Sequence, residues 1–512
     1  MKSTLLASVL QLLAQLSPVA ALLYTTAPTI SRHMKQKEMN AYHKAAVEDD
    51  GLVVMGTGSF NQLLDHDDTS KGTFKQRYWW NAEFFEEDGP IFLFNPGESD
   101  ASHFAGYLEN GTLPGYYAQQ FKGAVIILEH RYWGKSRPFD TLTTETLQYL
   151  NLPNSIHDLT YFAKNIAAPF CQGSTCNSSE NPWILMGGSY SGALAAWTSQ
   201  LDPGVFHAYH ASSAVVQAIY DFWEYYRPIA EGLPGNCSAN AQAAIRHVDK
   251  VLASKNHEDV NALKCLFGLS ALNDADFAEK LAAPFSEWQG GEGDVNKLCE
   301  ALDSGSAKNG STPVVAYASY IEKHTHCGKN GAGCNTYSSD IEWNTPNRLT
   351  GTRPWLWLVC NEPFGWYQVG PPESDGTSIV SSSLRPDHYQ RRCPLMFPDT
   401  NGFTVGSVRG FTAQHLNMWT HGWDASFERV LFVNGERDPW RSATIAADCR
   451  PGGPVNSSDT IPSLIVEKGD HVPDLILGDD EFQTRVIESA VKIMGNWLKD
   501  WQKPASSKRV VI

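Results

Sequence analysis

The stretch Asn181-Pro-Trp-Ile-Leu-Met-Gly-Gly-Ser-Tyr-Ser-Gly-Ala-Leu-Ala-Ala-Trp197 constrains this chain more than any other. The apolar run from Trp183 to Met186 reads as a short buried strand. Two glycines and a serine interrupt it, and a helix-favouring run, Ala193 to Trp197, follows at once. A strand, a tight turn and a helix with Ser189 at the apex form the layout of a nucleophile elbow. So sharp a turn requires small residues two positions either side of the serine, here Gly187 and Ser191. The usual pattern has glycine at both places. In this chain the second glycine arrives one residue late, as Gly192. A Gly-Ser-rich turn before a helix would look the same locally, so the weight of the motif rests on partners elsewhere.

The segments around it alternate. Phe60–His66 and Gly72–Trp80 read as opening strands, and Ile91–Phe94 and Ala124–Leu128 as continuous apolar strands buried on both faces. The last two each run into a polar, glycine-containing loop, Asn95-Pro-Gly-Glu-Ser99 and Glu129–Ser136. Ile156, Leu159, Phe162, Ala163 and Ile166 recur at helical spacing and predict a helix over about 155–166. After the elbow, Phe206–Ala211 is a further strand. Strands alternating with helices predict an α/β class with a mostly parallel sheet. The alternation stops near Val216. Residues 217–390 are helical in pattern (Ala239–Leu252 above all), broken by Gly-rich loops and dense in aromatics, and read as an inserted helical domain. Strands return at Arg429–Asn434 and Leu464–Val466. An amphipathic helix, Glu481–Trp501, closes the fold.

A serine hydroxyl is a poor nucleophile at neutral pH. It requires a base in hydrogen-bond reach, and the base requires an orienting group. On a parallel sheet these stand on loops at the carboxyl ends of strands, in the chain order Ser, Asp or Glu, His. Asp438, in Asn434-Gly-Glu-Arg-Asp-Pro-Trp-Arg441, lies just past one returning strand, and His471, in Glu467-Lys-Gly-Asp-His471, just past the other. Asp438 before Pro439 also suits an ordinary turn, with Glu436 or Asp424 as substitutes. His471 is one of 16 histidines. Three strand-end positions in one order are what single out Ser189, Asp438 and His471. The oxyanion donors expected are the amide of Tyr190 and one from the Asn95–Ser99 loop, Gly97 or Glu98. Removing one such donor costs about 3 kcal/mol of barrier. Glu98 alternatively offers a carboxylate to a substrate amine.

The formal charge of −16 and a pI near 5.4 disfavour nucleic acid and anionic membranes as partners. Met1-Lys2-Ser3-Thr4, an apolar run to Leu16 and the small-residue exit Ser17–Ala21 read as a secretory signal over residues 1–21, too short to span a bilayer. Five sequons, at Asn110, Asn177, Asn236, Asn309 and Asn456, agree with secretion. So do ten cysteines, read as disulfides. Cys171/Cys176 and Cys327/Cys334 are natural local pairs and Cys360/Cys393 a medium-range one. Cys237, Cys265, Cys299 and Cys449 stay open. His324-Thr-His-Cys327 has the look of a metal site, but in a secreted chain Cys327 is better read as disulfide-bonded. No cofactor and no metal are implied. The resulting organisation is a signal (1–21), a pro-segment or mobile lead (22–54), a first core part (55–216), the insertion (217–390), a second core part (391–502) and a tail (503–512).

The chain resembles the proline-specific serine peptidases that include lysosomal Pro-X carboxypeptidase, dipeptidyl peptidase II and the fungal acid prolyl endopeptidases. The resemblance runs from about Phe60 to Trp501. It is carried by Glu129-His-Arg-Tyr-Trp-Gly134, the elbow Gly187–Trp197, Asn434-Gly-Glu-Arg-Asp-Pro-Trp440 and the His471 loop. It is closest to the fungal members, through Gln76–Trp79, Thr144–Leu150, Ala218–Trp223, Cys360-Asn-Glu-Pro-Phe364 and Arg450–Pro454. It implies an α/β-hydrolase fold with an inserted helical, disulfide-containing cap domain. In the roles it implies, Ser189 is nucleophile, His471 general base and Asp438 orienter, in a secreted, vacuolar or lysosomal enzyme that cuts peptides or proteins after proline at acidic pH. The displaced elbow glycine is then the family's own form. A compact apolar proline ring asks for a tight aromatic slot, for which Trp440 and Tyr190 are the candidates. Asp470, before the histidine, departs from the family pattern. The alternatives are an esterase or lipase on the same fold, and an inactive hydrolase used for binding. Endo- against exopeptidase action and oligomeric state stay open.

Overall fold

The computed structural model describes residues 53–503, with short breaks at 172, 291–292, 309–311, 329–330, 340, 342, 345–351 and 373–375, and the two-residue strand Ala46–Val47. The signal segment, most of the lead and tail, and Asn309 lie outside the described residues.

The strands of the main sheet are β1 (Ala46–Val47), β2 (Val53–Leu63), β3 (Thr73–Asn81), β4 (Ile91–Asn95), β5 (Ala124–Leu128), β6 (Trp183–Gly188), β7 (Ala208–Ser212), β8 (Val430–Gly435) and β9 (Ser463–Val466). They stand side by side in the order β1-β2-β3-β5-β4-β6-β7-β8-β9. The pairs from β1 to β3 and from β3 to β5 are antiparallel, and every pair from β5 to β9 is parallel. Every residue of β4, β5, β6, β7 and β8 is buried, because helices cover both faces of the parallel part.

On one face, Phe92, Phe94, Ile184, Met186, Leu431 and Val433 pack against Tyr117 of α1 (Leu113–Phe121) and against Val486, Ile487, Ala490 and Met494 of the C-terminal helix Glu481–Lys499. That helix begins where Asp480 Oδ1 accepts from the amides of Phe482 and Gln483, a strong N-cap. Elsewhere in the unit, α2 (Leu152–Asn165) buries Ile156, Leu159 and Phe162, and α3 (Tyr190–Leu201) buries every residue from Tyr190 to Thr198. Antiparallel strands at one edge, a crossed β5-β4 pair and a parallel run with the elbow in its middle constitute the α/β-hydrolase fold.

The chain divides into two compact units. The sheet unit also takes Pro346–Trp366 and Phe397 onward. The smaller unit is built from Ala230–Thr345 and Tyr367–Met396. It is helical, with Cys237–Ser254, Asp274–Ala282, Gly293–Lys308 and Pro313–His324 as its main helices. Its core includes Ile245, Phe277, Trp288 and Tyr317, and the Tyr317 hydroxyl donates to the carbonyl of Leu281. A disulfide joins Cys237 to Cys299 across two of these helices. The expected pairs Cys171–Cys176 and Cys327–Cys334 are formed, so Cys327 is a disulfide half and not a metal ligand. Cys360 and Cys393 are both disulfide-bonded, while Cys265 and Cys449 are free thiols. Of the sequon asparagines, Asn110, Asn236 and Asn456 are exposed and Asn177 is half-buried.

Candidate active site

The elbow forms as its sequence requires. Ser189 is the residue between β6 and α3, with φ 62° and ψ −124°. A non-glycine residue held there costs on the order of 1–3 kcal/mol, so the surroundings must over-determine the turn. They do: the Ser189 amide donates to the Ser212 carbonyl at 2.8 Å, and the Ser191 hydroxyl bonds both the amide and the carbonyl of Gly188. The displaced glycine has a steric cause. A Cβ on Gly187 would lie 2.2 Å from the Ser191 carbonyl oxygen, and one on Gly192 would lie 2.6 Å from that of Ser212. Ser191, just before Gly192, carries a side chain whose hydroxyl bonds Gly188 and staples the turn.

His471 Nε2 lies 2.8 Å from Ser189 Oγ, and His471 Nδ1 lies 2.9 and 3.0 Å from the two oxygens of Asp438. The Asp438 carboxylate also accepts from the amide of Trp440 at 2.8 Å, capping the short 3-10 turn Pro439–Ala443. All three side chains are buried. The carboxylate therefore orients the ring so that its far nitrogen meets the hydroxyl. Glu436 accepts from the Lys468 amide and Asp424 lies 4.0 Å from Arg450, so neither competes for the imidazole.

Tyr190 is the first residue of α3, where an amide has no intrahelical acceptor. Gly97, at φ 66°, brings the Asn95–Ser99 loop against the elbow: a Cβ there would lie 3.3 Å from Ser191 Cβ. The Gly97 amide donates to Asn95 Oδ1 at 3.0 Å and the Glu98 amide faces its own carboxyl, so both candidate donors of the loop are engaged within it. The Glu98 side chain is buried, its Oε1 has no hydrogen-bond partner, and burial pushes its pKa up to about 8.

Aromatic rings crowd the same place. Trp440 has ring centroids within 5.3–6.3 Å of Tyr225, Phe222, Trp366 and His471. Tyr190 meets Trp355 at 5.7 Å and Phe364 at 5.8 Å, and Phe364 stacks on Trp366 at 4.5 Å. The Tyr190 hydroxyl lies 3.3 Å from Nε2 of His130, whose pKa burial lowers to about 4. Sequence reasoning named Trp440 and Tyr190 and missed the ring wall around them. Its signal was the aromatic density of 355–366, which had no way to say which rings turn inward. The Glu129–Gly134 motif is architectural apart from His130. Glu129 accepts from Arg77, from the Ser136 hydroxyl and from the amides of Ala101 and Ser136, and Arg131 is held by Asp158.

A second acidic cluster, Asp276, Glu279 and His388 in the smaller unit, has ligand-like spacing, but the Arg392 guanidinium bonds Glu279 at 2.7 Å and supplies the cation itself.

The elbow in the middle of such a sheet, with a carboxylate and an imidazole after β8 and β9, defines an α/β-hydrolase of the serine type. The family model described as Serine carboxypeptidase S28 matches residues 62–488, and this chain belongs to that family. The serine protease vicPb of Bipolaris victoriae is 34% identical over 484 residues, covering 88% of this chain and 90% of the relative. The human thymus-specific serine protease is 28% identical, covering 82% of this chain and 81% of the relative. A probable extracellular serine carboxypeptidase of Arthroderma benhamiae is 28% identical over 73% of this chain and 56% of the relative. The protein is thus a serine peptidase, which decides against the esterase alternative.

Proposed function

We propose that this chain is a secreted peptidase that hydrolyses the bond on the carboxyl side of proline, with Ser189 as nucleophile, His471 as general base and Asp438 as orienter. The observation that carries the reading is the unbroken row from Asp438 through His471 to Ser189. Ser189 Oγ attacks the scissile carbonyl while His471 Nε2 takes its proton. The carbonyl electrons move onto the oxygen, which the amide of Tyr190 and one amide of the Asn95–Ser99 loop would receive. Collapse of the tetrahedral intermediate breaks the C–N bond, and His471 returns the proton to the leaving nitrogen. Water, activated by the same imidazole, then releases the acyl group.

Proline preference rests on the ring wall of Trp440, Trp366, Phe364, Trp355 and Tyr190. Rigid aromatic faces suit a compact, apolar five-membered ring. An acidic working range fits Glu98, whose neutral form persists through that range. The disulfides and the leader sequence support export from the cytosol.

The test is a proline p-nitroanilide assayed alongside an alanine analogue, with Ser189→Ala as control. A fluorophosphonate should add its mass to the peptide containing Ser189 and abolish turnover, and Ser189→Ala should lose at least about 1000-fold in kcat. Cleavage after proline retained in Ser189→Ala would overturn the assignment. Equal kcat/KM on both anilides would overturn the proline preference alone.

A further inference from the structure

Beneath the row just described lies another set of Ser, His and Asp. On β7, His210 and Ser212 point to one face, toward α1. His210 Nε2 lies 2.6 Å from Asp474 Oδ2, its Nδ1 lies 3.1 Å from the Tyr117 hydroxyl, and the Ser212 hydroxyl donates to Asp474 Oδ1. Asp474, His210, Ser212 and Tyr117 are all wholly buried. The hydroxyl faces the carboxylate and not the imidazole, so Ser212 is no second nucleophile.

The hydrogen bonds close as one consistent chain. Burial, and after it the Asp474 charge, holds the Tyr117 phenol protonated, so it donates to His210 Nδ1. His210 then carries its proton on Nε2 and donates it to Asp474, and Ser212 donates to the other oxygen. A carboxyl group with no access to water is tolerated there because both its oxygens are engaged.

Asp474 is three residues beyond His471, on the same loop. Between them Val472 sits at φ 51°. For a β-branched residue that is a true outlier, which the loop adopts only if held there. Its holders are at the end of β7. The Val472 amide donates to Ser213 Oγ at 2.9 Å, and Asp474 is tied to Ser212 and His210. The same Ser212 accepts the Ser189 amide through its carbonyl. One dipeptide, Ser212-Ser213, therefore registers the nucleophile with its backbone and the base's loop with its side chains.

We infer that Asp474, anchored by His210 and Ser212, is the positioning residue that keeps the His471 imidazole on the Ser189 hydroxyl. Without the anchor, Val472 relaxes to negative φ and the ring leaves its place, while the substrate pocket is untouched. The inference rests on the reading of Ser189 and His471 as nucleophile and base. A misplacement of about 1 Å in a catalytic group costs roughly 100-fold in rate.

The experiment uses the full-length enzyme, with active sites counted by fluorophosphonate titration, so that kcat refers to folded sites only. Asp474→Ala should lower kcat by about 10- to 100-fold with KM within about twofold. The rate of Ser189 phosphonylation should fall by the same factor. Asp474→Asn should lose less, since its amide oxygen still accepts from Ser212 and His210 can change tautomer to accept from its NH₂. Adding Val472→Gly to Asp474→Ala should restore part of kcat, because glycine reaches positive φ without the steric penalty valine bears there. If Asp474→Ala does not accumulate, Ser213→Ala, which removes the other tie on the loop, decides by the same kcat-against-KM reading. Full kcat per titrated site in the folded Asp474 or Ser213 variant, beside an inert Ser189→Ala, would overturn the positioning role and leave the triad standing. Activity in Ser189→Ala would instead overturn the triad itself.

Discussion

Asp438 meets the imidazole with both oxygens and the Trp440 amide with one of them. Replacing it by Asn keeps the shape and the cap to Trp440 but presents an NH₂ to the ring, which then favours the wrong tautomer. Asp438→Asn should therefore fold normally and lose about 10⁴-fold in kcat, read by the anilide assay beside a thermal melt. Trp440 tests the slot rather than the chemistry. Trp440→Ala removes one wall of the ring box and should reduce the proline-over-alanine ratio of kcat/KM by about tenfold or more. If both substrates decline together, Trp440 is core and not slot. Ser189, Asp438 and His471 were legible because each comes within a few residues of the end of an apolar strand, in an order that sheet geometry allows. The anchor Asp474 was not legible. A carboxylate three residues past a histidine gives no sign that its partners are His210 and Ser212, over 260 positions away and buried.

At the scale of elements, the boundary of α2 shows what local sequence carries and what a periodicity count overlooks. The apolar spacing predicted a start at Ser155, and the helix begins at Leu152. The signal was present as Asn151-Leu-Pro: the Asn151 side chain accepts from the Asn154 amide and Pro153 sits in the first turn, where its missing N–H costs nothing. At the N-terminal edge, β2 starts at Val53 rather than Phe60, and Gly56 and Gly58 interrupt the apolar pattern that would have extended the strand. The elbow yields the sharpest prediction of this kind. Gly192 packs α3 onto the end of β7, and the atom a methyl group would strike is the carbonyl that accepts the Ser189 amide. Gly192→Ala must push helix from strand or turn that carbonyl away, and either movement shifts the nucleophile. A loss of about 1–3 kcal/mol in stability is expected, as for other overpacked sites. It should come with a fall in kcat out of proportion to any change in KM. A melt together with titrated turnover would check it. An unchanged kcat would mean that Ser189 is held without the Ser212 contact.

At the scale of the molecule, the pKa shifts set a pH dependence of stability whose sign can be worked out. Burial raises Glu98 to about 8, and burial, partly offset by hydrogen bonds from Asn361 and the Leu152 backbone, raises Glu362 to about 7. Both bind a proton in the folded state that the unfolded chain releases near pH 4.5. Their contribution is complete below that pH and is lost as pH rises through 7 to 8. His130 works the other way. Burial depresses it to about 4, so its contribution is present above its ordinary value near 6.5 and is lost as pH falls. Asp158 and Glu279, both burdened by burial but held below the usual carboxylate range by Arg131 and by Arg392 with His388, lose their contributions only in stronger acid. Between about 4.5 and 6.5 His130 offsets roughly one of the two glutamates. Above about 6.5 the unfolded histidine no longer binds a proton, and nothing offsets them. The formal charge of −16 adds self-repulsion in the same direction. Tm should therefore be highest in mild acid and fall above it, most steeply between about pH 6.5 and 7 and less steeply from there to about 8. Glu98→Gln combined with Glu362→Gln should flatten that limb and leave the acid limb unchanged. Scanning calorimetry across this range reads both limbs, and a Tm that climbs from pH 5 to 8 would mean that these two carboxyls are ionised within the folded protein.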